Sequence, residues 1–455
     1  MKILFGTLLL LLCTANSFAF KSGSKDSITG IIDKSAALIK IDQGKQLVGE
    51  NKIREALLVF REAAIKDPNT WKASYWISFC HFRLKNFGYA KQYGLDAIAK
   101  GPDDVDAEIY DILGVSCHNL NELDSAENYL KLALTFLSKS RAKELNTQNK
   151  LASVQFAKQH AGTPGLRVAL MGDVNSGYND YAPVFTADGK RIYFTSRRAN
   201  TTGGMMNPDD QEYFEDVYTG VWNEKMLKYD SVNNKVERIN GPGFESMSWL
   251  SKDGLKAVVT INNYATEKSI KKQTGSSDIA EVEFTKKGKW NIPKVISNKS
   301  INTSFFEGSA TLTADGNTMY FVSDRKGDKR STDIYVVQRN GKVWGEAKIL
   351  NDSVNTLMRE TTPYITPDGR FLFFSSEGHI GMGGLDVFVS ENTGSGWTKA
   401  KNLGPLVNSV NDDTHFVIYK ELGKAYLSGL TVNEKKSSID IYEIDLSKLV
   451  LPVKF

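Results

Sequence analysis

The side chains best suited to chemistry are carboxylates that recur at a fixed offset. Asp180, Glu245, Glu307, Glu360 and Asp413 each stand eight residues ahead of a second acid, at Asp188, Asp253, Asp315, Asp368 and Glu421. Five such acids gathered around one axis would form a ring able to hold a cation or a basic protein segment. Two unlike carboxylates about 5 to 9.5 Å apart would instead serve glycoside hydrolysis, one as acid and one as nucleophile or base. A third reading has each acid accept hydrogen bonds from its own loop. Recurrence of near-equivalent acids in every copy favours this structural role and argues against catalysis.

Other reactive patterns are missing from the sequence. It holds no nucleophile elbow, phosphate-binding loop or dinucleotide fingerprint. The five histidines, His81, His118, His160, His379 and His415, are scattered and make no zinc-ligand spacing. The run Gly378-His379-Ile380-Gly381-Met382-Gly383-Gly384 reads as a turn between strands rather than a phosphate cradle. Cys80 and Cys117 lie in helical patterns and read as small buried side chains. The chain is accordingly expected to be no enzyme and to carry no cofactor or metal.

The elements that position the acids repeat with a strand period. An alternating strand, an Asp-Gly turn and a second strand recur at Asp188-Gly189, Asp253-Gly254, Asp315-Gly316 and Asp368-Gly369, with Glu421-Leu422-Gly423 as a degenerate fifth copy. Asp-Gly between alternating apolar runs signals a hairpin, because glycine takes the positive φ of the turn. A further β-rich run opens on Asp216, Asp278, Asp333, Asp386 and Asp440, at spacings of 62, 55, 53 and 54. About four strands per copy predict a five-bladed β-propeller over residues 166–448, with Arg167 to Gly172 closing the ring. The stretch 197–215 is an insertion in the first blade. Its pair Met205 and Met206 suits adaptable apolar contact with a partner.

Upstream, residues 20–161 read as a helical domain in which 37–140 repeat with a helical period. Ala56, Phe60 and Ala63 recur as Ala90, Gly94 and Ala97 at an offset of 34, and as Ala126, Leu130 and Ala133 at a further 36. Gly44, Ser78 and Gly114 stand twelve residues before those alanines, small enough to let two helices cross closely. Three helix pairs, at 37–70, 71–104 and 107–140, with flanking helices near 28–36 and 141–160, predict a short α-solenoid. Trp71, Tyr75 and Trp76 are its candidate partner-binding residues, with packing between helices as the competing role.

At the start of the chain, Lys2, the apolar run Ile3 to Leu12 and the small residues Ser17 and Ala19 read as a signal peptide of residues 1–19. Export to the periplasm follows. A lipid anchor at Cys13 is the less favoured alternative, since Leu12 precedes it. The apolar run is shorter than the roughly 20 residues of a spanning helix, so no transmembrane segment is expected in the mature chain. Lys+Arg 57 against Asp+Glu 53 gives +4, evenly spread, which excludes nucleic acid as a partner class. Residues 449–455 remain as a C-terminal tail.

The helical part resembles the tetratricopeptide (TPR) repeat through its Gly and Ala pattern and the closing Pro68 and Pro102. The strand repeats resemble the PD40, or WD40-like, propeller through the stretches 183–189 and 363–369 and through Ser323-Asp324-Arg325 with Asp333-Ile334-Tyr335. Together, residues 37–445 are similar to the TPR plus PD40 envelope proteins of Bacteroidota, among them an accessory lipoprotein of type IX secretion and gliding. That relative carries a C-terminal OmpA-like domain for which this chain has no counterpart. The resemblance implies a non-catalytic periplasmic scaffold bound to proteins of an outer-membrane machine. The alternatives are a binder of cell-wall carbohydrate such as peptidoglycan, or a propeller glycosidase.

Overall fold

The computed structural model describes residues 28–207, 210–236, 238–262, 277–326, 331–432 and 437–454. The expected signal peptide and Cys13 lie outside the described residues.

The N-terminal part is an array of helical hairpins: α1 (Ile28–Gly49), α2 (Ile53–Lys66), α3 (Trp71–Arg83), α4 (Phe87–Lys100), α5 (Glu108–Asn119) and α6 (Leu123–Phe136). A short α7 (Lys139–Glu144) and α8 (Thr147–Gln159) follow, α8 lying against α6 as α3 lies against α2 and α5 against α4. Residues 28–36 are the first turns of α1 and not a separate helix, because neither proline nor turn signal interrupts the stretch to Gly49. The recurring apolar residues of α2, α4 and α6 are fully buried between the helices. A Cβ at Gly44 would collide with the Phe60 ring, which explains the small residue at that crossing. Asn51, Lys85 and Asn121 turn the three hairpins with φ of 62°, 56° and 59°, a left-handed conformation that asparagine tolerates best. Among the described residues no helix is long and apolar enough to cross a membrane.

The rest of the chain is a five-bladed propeller. The innermost strands are Asp180–Phe185, Phe244–Leu250, Glu307–Leu312, Glu360–Ile365 and Asp413–Tyr419, and each adjoins the next around a closed ring. Each blade adds its second and third strands outward in sequence order. The last blade takes its outermost strand from upstream: Val168 pairs with Glu443 and Ala169 with Tyr442, which joins the two ends of the domain. Five apolar clusters fill the five gaps between neighbouring blades. Leu449, Leu451 and Val453 pack on the cluster between blades 4 and 5, so the described part of the tail lies on this chain's own propeller.

Candidate functional site

Four of the five recurring acids begin an innermost strand and Glu245 is second in its own, on the face of the propeller opposite the hairpin turns. They do not make an open ring of charge. Asp180, Glu307, Glu360 and Asp413 are fully buried, and Glu245 is 5% exposed. Ser176 donates to Asp180 Oδ2 through N and Oγ, both at 2.6 Å. Thr303 does the same for Glu307, both at 2.7 Å. Thr356 serves Glu360 at 2.7 and 2.8 Å, and Ser409 serves Asp413 at 2.6 and 2.9 Å. Arg198, Arg325 and Arg167 add cationic partners to Asp180, Glu307 and Asp413. A carboxylate saturated in this way closes its own loop and has little left for a cation or a substrate. Among the described residues no group of three or more His, Cys, Asp or Glu is placed to hold a metal ion.

The asparagine five residues ahead of each acid ties neighbouring blades together. Asn355 accepts from Ile334 N at 2.8 Å and donates to Ile334 O and Leu350 O at 3.0 and 2.9 Å. Asn302 and Asn408 repeat this pairing on Ile279 and Val387, and Asn175 and Asn240 on Ile441 and Val217. The sequence signal was the recurring Asn. Its reach to the preceding blade was not visible there.

Blade 2 breaks the pattern. Gly241 stands where the other blades carry Ser or Thr, and Ile261 faces Glu245 where Ser196, Ser323 and Ser376 face other acids. Glu245 Oε2 is left buried without a hydrogen-bond partner. Burial, only partly offset by the Gly241 backbone N–H, pushes this carboxyl up to about 8.

On the same face the helical array meets the propeller. Lys85 at a hairpin tip is ion-paired with Asp412, and Ser437 Oγ donates to Lys85 O at 3.1 Å. His118 Nε2 donates to Met382 O at 2.7 Å, and Asn149 Nδ2 to Gly378 O at 2.8 Å. Gly381 N donates to Ser153 Oγ at 3.3 Å. Arg54 reaches Asp210 O and Glu212 on the long loop of blade 1. The glycine-rich run 378–384 is therefore a docking loop. A Cβ at Gly383 would overlap the Val410 carbonyl, so the backbone itself comes this close.

The partner-binding candidates separate. Tyr75 is 5% exposed and packs with Ala97, Ile109 and Leu113, so it is a core residue and offers no partner contact. Trp71 and Trp76 are half-buried and stay at the surface. Trp76 stacks on Phe60 with ring centroids 5.5 Å apart and meets Phe79 edge-on at 5.3 Å. Lys45, Lys72 and Arg83 stand 5.9, 5.8 and 5.8 Å from the ring centres of Trp76, Trp71 and Phe79. Met205 and Met206 are 40% and 47% exposed, and Met206 pairs with Tyr213 in a small hairpin. Cys80 and Cys117 are unpaired and buried, their thiols pushed up to about 12 by burial.

A cavity of about 390 Å³ opens at the channel mouth, lined in part by Tyr181, Glu215, Phe244, Phe306, Ser309 and His415. Tyr181 Oη donates to Glu215. Burial raises the Glu215 carboxyl while Arg197 opposes the shift, and burial pushes His415 down to about 3. A separate space of about 30 Å³ lies among the innermost strands, lined in part by Ala182, Met247, Thr362 and Phe416. The cavity draws on several blades, and sequence reading did not assemble it.

No protein-family model matches the sequence, and no curated protein does. Among solved structures, the chain is similar to the first TPR of Spaghetti (RPAP3) bound to an HSP90 peptide, at 20% identity over 28% of this chain and 98% of that one, TM-score 0.25. It is similar to the Yersinia enterocolitica type III secretion chaperone SycD in complex with a peptide of the translocator YopD, at 17% identity over 28% and 98%, TM-score 0.25. It is also similar to an α-L-arabinofuranosidase from Lactobacillus brevis, at 10% identity over 60% and 92%, TM-score 0.37.

Proposed function

We propose that this chain is an exported, non-catalytic scaffold of the periplasm that binds protein components of an outer-membrane machine, in the setting of type IX secretion or gliding. The observation that carries the binding role is the aromatic surface of α3. Trp71, Trp76 and Phe79 form a half-buried strip with cations over its rings. Among the described residues no hydrogen bond or ion pair ties these three side chains to the propeller, so docking leaves the strip available. Aromatic rings edged by Lys and Arg suit an acidic segment with apolar anchors, whose carboxylates meet the cations while its side chains cover the rings.

Four of the recurring acids support a non-catalytic reading, because the oxygens of Asp180, Glu307, Glu360 and Asp413 are taken by their own loops and, in three of them, by an arginine. The outer-membrane setting rests on the likeness of residues 37–445 to TPR plus PD40 envelope proteins and on the leader-like first nineteen residues. Affinity isolation from solubilised envelopes tests the binding role, comparing the natural chain with Trp76→Ala and Arg83→Glu. The expected result is selective loss of the same partner from both variants. An unchanged set of partners would overturn the role given to α3.

A further inference from the structure

The cavity at the channel mouth is independent of the helical strip and has a chemistry of its own. At about 390 Å³ it falls within the range of roughly 300 to 1,000 Å³ typical of small-ligand sites. A second, much smaller space of about 30 Å³ lies among the innermost strands, sharing Ser309 and His415 with it.

Among the described residues Glu215 is the one carboxylate lining the cavity, and it accepts the Tyr181 hydroxyl. Behind it stands Arg197, fixed by bonds of 2.7 and 2.9 Å to Asp210 and by one of 2.8 Å to Tyr213 O. The imidazole of His415 is held uncharged at neutral pH by burial and lies 3.0 Å from the Thr414 hydroxyl. Among the described residues the lining holds no lysine or arginine, so an anionic ligand finds no fixed counter-charge on it.

The remaining lining alternates flat apolar faces with small polar groups. Phe244 is braced edge-on by Phe214 at 4.5 Å, and Tyr181 lies against His415 at 5.5 Å between ring centres. Phe306 adds another ring, and Ser246 and Ser309 contribute hydroxyls. Rings that cover C–H faces, beside hydroxyls and a carboxylate that exchange hydrogen bonds, match a molecule with an apolar face and a hydroxyl rim. The one carboxylate among the described lining residues does not by itself supply both the acid and the nucleophile or base of a glycosidase.

From this lining we propose that the propeller's channel mouth binds, without cleaving, the ring of a neutral saccharide. The purified full chain is tested by saturation-transfer-difference NMR and calorimetric titration with N-acetylglucosamine, chitobiose, galactose and arabinose, with galacturonate as the charged comparison. At least one neutral sugar should bind, be recovered uncleaved, and lose affinity about tenfold or more in Phe306→Ala and in Glu215→Gln. Ile65→Ala, at an exposed position on the helical module, should bind it normally. A crystal soaked with the sugar should place it in this cavity, which keeps the test decisive even where a cavity variant folds poorly. Failure of all four neutral sugars to bind at up to about 50 mM, well above millimolar affinity, would overturn the proposal. So would preference for galacturonate, cleavage of chitobiose, equal binding by both cavity variants, or sugar located elsewhere.

Discussion

Lys85 and Asp412, 327 residues apart in the chain, form an ion pair that locks the second helical hairpin to the loop leading into the last blade. Lys85 also occupies the left-handed turn position that Asn51 and Asn121 fill in the neighbouring hairpins. One residue therefore closes a helical turn and joins two modules. With His118, Asn149 and Ser153 it fixes the array across blades 4 and 5, while Arg54 holds it to blade 1.

This arrangement predicts that the modules unfold as one unit. Lys85→Asn keeps the turn, since asparagine tolerates its φ, and removes the ion pair, which is partly exposed and contributes about 1 kcal/mol. Combined with Asn149→Ala it should split a single calorimetric transition into two and raise the radius of gyration in small-angle scattering. A single transition at the natural temperature would show that these contacts do not couple the modules.

The acids of blades 2 and 3 should answer differently to the same change. Glu307→Gln disturbs donors from Thr303, Ser323 and Arg325 and should cost about 1–3 kcal/mol. Glu245→Gln replaces a carboxyl that burial keeps mainly protonated at pH 7 and whose Oε2 is unpaired, and should leave stability at pH 7 unchanged or higher. Thermal melts of the two variants decide this. Equal destabilisation would contradict the isolation of Glu245.

Two buried groups give opposite pH dependence. His118, pushed down to about 4 by burial, binds fewer protons folded than unfolded, so its contribution is complete above about 6.5 and is lost as pH falls toward 4. The loss is at most on the order of 3 kcal/mol. Glu245, pushed up to about 8, favours the folded state most below about 4.5 and loses that contribution as pH rises through 8. Urea titrations from pH 4 to 9 should show a shallower acid limb in His118→Asn and a shallower alkaline limb in Glu245→Gln. Unaltered limbs would refute these assignments.

The asparagine ties between blades make a further demand. Asn355→Ala removes three bonds, leaving Ile334 N without its acceptor and Leu350 O without this donor while Ile334 O keeps only Leu350 N, a cost of about 2–4 kcal/mol. Chemical denaturation measures it. A loss below about 0.5 kcal/mol, the range of ordinary surface substitutions, would mean that the blades hold together without the tie.

The repeats were legible because each is written in local chemistry. Alanine and glycine at helical spacing mark the crossings, and Asp-Gly between alternating strands marks the blade hairpins. The acids were legible as a period but not as buried groups, since their partners Ser176, Thr303, Thr356 and Ser409 gain meaning only once the loop is closed. Tyr75 and Trp76 are adjacent and equally aromatic, and only packing tells that one is core and the other surface. The joint between modules escaped sequence reading because Lys85, His118, Met382 and Asp412 belong to different repeats and carry no shared spacing. The channel-mouth cavity escaped for the same reason.

The central claim is that α3 presents a surface for a protein partner in the cell envelope. Its most direct test is mass spectrometry of cross-links formed in intact envelopes, with a photoreactive residue at position 79. The account predicts adducts between α3 and an outer-membrane translocon or motility protein, through a segment rich in acidic and apolar residues. Recovery of this chain alone, or of partners attached only through the propeller, would contradict it.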